Sequence, residues 1–362
     1  MKNSFAHGGN IEEISAAFGI RENRIIDFSS NVSPISLPDK VTKVIRSNIR
    51  NISKYPDKES LKLKAAVGKY LNIGAGHIVV GNGSADIIYR AVYALKPDAG
   101  LIPSPTFGEY EKALLSVGAK IKRLLLKERN KFNFSIEEVA EQAGKVDIVF
   151  ICNPNNPTGM LMPGKDLECL AQKLQRKKTM LILDEAFIDL AEEHSLVDLA
   201  AKSNNLLVLR SMTKFFGLAG LRLGYAVGHI ELIKRIQGAG QPWPVNIFAQ
   251  FAGEAAIQDR EFKSRSKRLL LKERDFMYQR LCRIRGLRLF QSWANFILVK
   301  IEGPLSSCRL QRCLIKRGLL IRDCSNFRGL NNKYIRVAVR SRKENLRLIG
   351  ELENIINKED KK

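Results

Sequence analysis

No stretch of this 362-residue chain reaches eighteen consecutive apolar residues, so no membrane-spanning helix is expected. The opening segment, Met1 to Asn10, lacks the apolar core of a secretory signal. No C-x-x-C pair occurs among the six cysteines at 152, 169, 282, 308, 313 and 324. Scattered thiols exclude a disulfide framework or a clustered zinc site, so a cytoplasmic protein without a metal is expected. No repeat of solenoid period appears. Acidic residues are scarce: 37 Asp and Glu against 60 Lys and Arg leave a net charge of +23. Such an excess raises the question of nucleic acid. The basic residues are dispersed, however, and no tail or helix-turn-helix pattern gathers them. Their densest stretch, 260–288, reads as an amphipathic helix with a solvated basic face. The positive field has a simpler use in drawing in phosphorylated, anionic small molecules.

What is present is ordinary globular composition, 45% hydrophobic and 27% charged, at a length that argues for two domains. Short apolar runs at 78–80, 99–102, 121–126, 148–152, 180–183, 206–209 and 224–227 predict strands. Amphipathic stretches at 85–95, 108–117 and 166–177 predict helices between them. That alternation predicts an α/β sheet. After Trp243 the character changes: a long basic helical region, 247–285, precedes strands at 296–301 and 335–339 with a helix at 306–317 between. We expect an N-terminal arm (1–35), a large domain (36–243) and a smaller α+β domain (244–362) that the arm helps to complete. The octapeptide Lys-Arg-Leu-Leu-Leu-Lys-Glu-Arg occurs at both 122–129 and 267–274; the first copy reads as strand, the second as helix.

Four motifs carry chemistry. Ser211-Met212-Thr213-Lys214 follows an apolar run, and Arg222 comes eight residues after the lysine. A lysine that bonds an aldehyde needs a pre-shaped site, and hydroxyls with a guanidinium beside it suit a phosphate. Pyridoxal 5′-phosphate presents both groups. The S-x-x-K of serine acyl-enzymes is the rival reading, but its companions S-D-N and K-T-G are missing. Asn153-Pro154-Asn155-Asn156-Pro157-Thr158-Gly159 forms a loop after a strand; it reads either as a plain Asn-Pro turn or as an asparagine offered to an aromatic oxygen. Asp184 closes an apolar strand, where a carboxylate is costly without a partner. A protonated pyridine nitrogen would be one, a salt-bridging or helix-capping role the alternative. Val80-Gly81-Asn82-Gly83-Ser84-Ala85-Asp86 is a glycine turn opening a helix, whose amides suit phosphate. It lacks the third glycine of a dinucleotide fingerprint.

In this order, G-N-G-S-A-D, N-P-N-N-P-T-G, D-E-A-F and S-M-T-K…G-L-R-L-G-Y resemble the fold-type I pyridoxal-phosphate enzymes of the histidinol-phosphate aminotransferase branch. The resemblance spans nearly the whole chain and implies the α/β fold of that type, a large domain on a mixed, mostly parallel seven-stranded sheet with a smaller α+β domain. It implies that Lys214 holds the cofactor covalently and that Asp184 pairs with its ring nitrogen. Asn156 would touch the ring hydroxyl. Ser84, Ser211, Thr213 and Arg222, with the amides from Gly83 to Ala85, would hold the phosphate, and Phe107 would stack on the ring. Tyr55 would reach into the site of a second subunit, which implies a homodimer.

Within the branch, three features resemble the threonine-phosphate decarboxylases of cobalamin biosynthesis. They are Ala6-His7-Gly8-Gly9-Asn10 followed by Asp27 to Asn31, the segments Gln241 to Asn246 and Leu320 to Leu330, and Phe187 where transaminases of the branch usually carry tyrosine. This implies His7, Asn31, Arg322 and Arg336 as substrate contacts. Arg336 would take the carboxylate and Arg322 the phosphate of a small phosphorylated amino acid, with Arg340 a second-line or structural residue. Without the resemblance, His7 reads as a mobile terminal residue. An arginine inside the apolar run 334–338 more often meets an anion than stays unpaired. Histidinol-phosphate transamination and L-serine O-phosphate decarboxylation are the alternatives.

Overall fold

The computed structural model describes residues 8–359; His7 lies outside them. A two-residue strand, β1 (Ile26–Asp27), precedes the seven strands of the main sheet: β2 (Ile78–Asn82), β3 (Ala99–Ser104), β4 (Lys120–Leu125), β5 (Ile148–Cys152), β6 (Met180–Asp184), β7 (Leu206–Ser211) and β8 (Leu223–Gly228). Their order is β2-β8-β7-β6-β5-β3-β4, and only β8 runs against its neighbours. Every residue of β5, β7 and β8 is buried, as expected of strands covered on both faces. Alternation sorts the side chains: Ile148, Phe150 and Cys152 join one core, Val149 and Ile151 the other.

Beyond β8 come β9 (Leu287–Leu289), β10 (Phe296–Ile301), β11 (Leu319–Leu320), β12 (Arg322–Asp323) and β13 (Tyr334–Ala338). Four of them form an antiparallel sheet in the order β12-β13-β10-β9. β11 pairs instead with β1, in parallel, which sets Ile26 and Asp27 beside Leu319 and Leu320. The long basic helical region is two helices, Ile247–Gln258 and Arg260–Leu281. Asp259 breaks it: its backbone leaves the helical region, at φ −83° and ψ 87°, and its side chain accepts from the Phe262 amide, capping the second helix.

The two octapeptides adopt the two conformations expected. The first contributes to β4, which lies alongside β3, and its Glu128 accepts from Lys300 and Arg288. The second lies within the helix Arg260–Leu281, where Glu273 is buried and accepts from Arg342 and Asn345. Tertiary partners decide each conformation.

Candidate active site

Parallel strands deliver their C-terminal ends to one edge of a sheet, where ligands bind in open α/β folds. Here that edge gathers the turn after β2 (Gly83 to Ala85), the loop after β3 (Phe107), the loop after β5 (Asn156), the end of β6 (Asp184) and the loop after β7 (Lys214). They line one cleft of about 1150 Å³ together with Ser211, Thr213, Arg222, Asn31, Arg322 and Arg336. Of the residues singled out from sequence, Tyr55 does not line it. It is 81% exposed and leans on Trp243, ring centroids 4.8 Å apart.

At the floor, Asp184 is buried, and both of its hydrogen-bond donors are neutral. The Tyr110 hydroxyl donates to Oδ2 at 2.7 Å, and the Ala186 amide donates to Oδ1 at 3.0 Å. Burial raises its pKa, while Tyr110 and Ala186 pull the other way. A carboxylate has room for about four hydrogen bonds, so a cationic donor fits the remaining positions. Tyr110 itself is locked by stacking on Phe150, centroids 5.0 Å apart. Sequence reading placed Tyr110 on a helix without a role. Its spacing from Phe107 was the available signal, since Phe107 meets its edge at 5.6 Å.

Lys214 faces this floor, its backbone carbonyl pinned by the Ser33 amide at 3.0 Å. Burial, then the positive charges of Arg336 and Arg222, push its pKa down to about 8, while Asp184 pulls it up. Ser211 and Thr213 hydroxyls stand 2.8 Å apart. Across from them begins the helix Ser84–Leu95, entered through Gly83 at φ +82°. A Cβ at Gly83 would sit 2.9 Å from an Arg222 nitrogen; the cradle has room for a ligand oxygen only because no side chain fills it. Gly224 of β8 lies in register with both Gly81 and Ser211, and a Cβ there would meet the Ser84 amide at 2.3 Å. Hydroxyls, a guanidinium and helix-start amides around a gap, with a buried carboxylate and a deprotonatable lysine beyond, fit an aromatic aldehyde that carries a phosphate.

The opposite wall is built by β12 and β13. Arg336 is buried and donates to Asn156 Oδ1 and to the Ser29 carbonyl, while its Nε has no partner among the described residues. Burial pushes its pKa down to about 10. Arg322, also buried and also lowered by burial, donates to Asn326 at 2.7 Å and lies 5.2 Å from the Phe327 ring. Asn31 is 3% exposed, and its Oδ1 has no partner among the described residues. Arg340 turns away to Glu344 and the Asp27 carbonyl, a structural role. Phe187 packs edge-on against Phe296, centroids 5.0 Å apart, and Arg336 lies over the same Phe296 ring. Among the described residues, no cluster of candidate metal ligands occurs, and no helix is long and apolar enough to cross a membrane.

Residues 23–352 match the family model described as aminotransferase class I and II. The chain is 36% identical to a threonine-phosphate decarboxylase from Salmonella typhimurium over 353 residues, which cover 97% of this chain and 96% of that one. It is 31% identical to a histidinol-phosphate aminotransferase from Methanococcus aeolicus over 359 residues, 98% and 96% of the two chains. Among solved structures it superposes on the histidinol-phosphate aminotransferase from Clostridium acetobutylicum with a TM-score of 0.86 at 30% identity, covering 91% of this chain and 99% of that one.

Proposed function

This chain belongs to the class I and II aminotransferase family, and we propose that within it the chain converts L-threonine O-3-phosphate to (R)-1-amino-2-propanol O-2-phosphate and CO2. It is a pyridoxal-phosphate enzyme of that fold. The observation that carries the finer reading is the register of Arg322 against Arg336: they are direct partners across the antiparallel β12–β13 pair, and both are buried. Like charges placed opposite each other on a sheet are destabilising, and buried guanidinium groups ask for anions. A small substrate with a carboxylate at one end and a phosphate at the other neutralises both. The identity to a threonine-phosphate decarboxylase across nearly the full length supports the same choice.

Lys214 would hold the cofactor, Asp184 would keep a proton on its ring nitrogen, and Asn156 would meet the ring oxygen beside Arg336. Gly83 to Ala85, Ser211, Thr213 and Arg222 would hold the phosphate, with Phe107 over the ring. When bound, the cofactor supplies an electron sink for whichever Cα bond stands perpendicular to its plane. Arg336, steered by Asn156 and Ser29, would fix the substrate carboxylate in that position, and Arg322 with Asn31 and His7 would fix the phosphate. Lys214 would return a proton to Cα once CO2 has left. Phe187 offers no hydroxyl to the site. Tyr55, exposed beside Trp243, would complete the site of a second copy, giving a cytoplasmic homodimer whose product serves the nucleotide-loop linker of cobalamin.

Two substrates test the reading. The PLP-loaded protein is given phosphothreonine, and separately histidinol phosphate with 2-oxoglutarate. CO2 and aminopropanol phosphate are expected from the first. Glutamate from the second with no CO2 from the first would replace this function by transamination. L-serine O-phosphate, lacking one methyl, should react less well by roughly 10–200-fold, the worth of a methylene in an apolar pocket.

The lowered lysine pKa gives a pH signature. At pH 7 about a tenth of Lys214 would be neutral, against less than a thousandth for an ordinary lysine. Capture of added PLP by the cofactor-free protein should therefore accelerate about tenfold per pH unit and level off above pH 8, because only the neutral amine attacks. Stopped-flow absorbance reads the profile, and an inflection above pH 10 would refute the depressed value.

A further inference from the structure

The rim of the cleft carries an ion network that the chemistry above does not use. Glu111, on the helix Glu109–Ser116 that follows Phe107, accepts from Arg123 of β4 at 2.7 Å. The same carboxylate accepts from Arg328, at 3.2 Å from Nη2 and 3.4 Å from Nε. Arg123 and Glu111 belong to the elements around the main sheet, whereas Arg328 belongs to the loop between β12 and β13. This one carboxylate thus ties the two walls of the cleft together.

The loop it holds is the one that handles Arg322. Asn326 accepts from the Arg322 guanidinium and Phe327 covers it; Arg328 is the next residue. Gly329 then settles against the first wall at φ +87°, its missing Cβ 3.4 Å from the Ser104 carbonyl and the Pro105 ring. Residues 325–330 all line the cleft, as do Glu111 and Arg123. Burial alone would raise the Glu111 pKa, but the hydrogen bonds from Arg123 and Arg328 outweigh it and hold it low, so the carboxylate stays charged.

We propose that Glu111 and Arg328 form a clasp that fixes residues 325–330 across the mouth of the cleft and so positions Arg322 for the substrate's anionic group. Both are positioning residues, acting through Asn326 and Phe327. The role of Arg322 as an anion receptor rests on the proposed function; the clasp itself does not. Because Arg328 is 64% exposed, the effect is that of a surface network rather than a buried pair, a few-fold and not a thousand-fold.

The test uses PLP-loaded wild type, Glu111→Gln and Arg328→Gln, the latter a surface change that leaves the core alone. Amide hydrogen exchange at residues 325–330 is expected to rise about three- to fivefold in each variant. KM for phosphothreonine should rise by a similar factor, with kcat within about twofold and PLP affinity unchanged. The double variant should match Glu111→Gln, because Arg328→Gln removes no contact with Glu111 that the first change has not already removed. Exchange at wild-type rates in both single variants would overturn the clasp. So would faster exchange with an unchanged KM, because the loop would then be fastened without positioning Arg322. If wild type does not turn over phosphothreonine, it is the proposed function that fails, and the exchange measurement alone decides the clasp.

Discussion

Lys214→Ala is expected to yield a folded protein that no longer gains visible absorbance with PLP and whose turnover of phosphothreonine drops by at least about 10³–10⁴-fold. The size follows from what the residue does twice over. It is the group that would hold the cofactor, and its amine is the candidate to return a proton to Cα; among the described residues the one other lysine lining the cleft is Lys112, on the helix Glu109–Ser116. The fold should not suffer. Lys214 is held in place through its backbone carbonyl, which accepts from Ser33 and Gly217, and alanine keeps that carbonyl. Loss of a buried ammonium next to Arg336 and Arg222 also removes repulsion. Thermal melting within about 1 kcal/mol of wild type, together with the absent absorbance band, would confirm the assignment. A variant that keeps the band would transfer the role to another residue.

Arg336→Gln should spare the cofactor and strike the substrate. The visible band is expected to remain, while kcat/KM for phosphothreonine falls by about 10²–10³-fold, the consequence of removing one side of a buried, hydrogen-bonded charge pair. Arg336→Lys should recover little of this. A guanidinium is held by Asn156 and the Ser29 carbonyl at two nitrogens and still has an Nε without a partner among the described residues; an ammonium cannot keep both anchors and also present a planar fork. If the glutamine variant retains wild-type kcat/KM, the anion is held elsewhere, with Arg322 or Arg222 the next to examine.

Much of the frame was legible in the sequence for one reason. Strands buried on both faces are largely apolar, so β5 and the Leu206 to Leu209 run that opens β7 announce themselves as short apolar stretches ahead of loops of polar residues, prolines or glycines. Those loops carry Asn156 and Lys214, and their order along the chain was enough to mark the cleft. What could not be read were pairings made by register and distance. Tyr110 and Asp184 are 74 positions apart, and nothing local to either signals the other. The Arg322–Arg336 partnership depends on a strand register that neither segment encodes alone. The break at Asp259 was missed because helix-forming residues continue on both sides of it, in Ile247–Gln258 and in Arg260–Leu281. The twin octapeptide makes the same point from the other direction, since identical residues become strand beside β3 and helix against Arg342.

The single reversed strand has a consequence of its own. β8 lies between β2 and β7, so the two loops that would grip a phosphate come from strands that do not touch. Gly224 stands at the crossing, in register with Gly81 on one side and Ser211 on the other, its missing side chain replaced by the Ser84 amide. The strand therefore works as a calliper. Its width sets the gap between the jaws, and glycine is what lets the jaws close to the span of one phosphate.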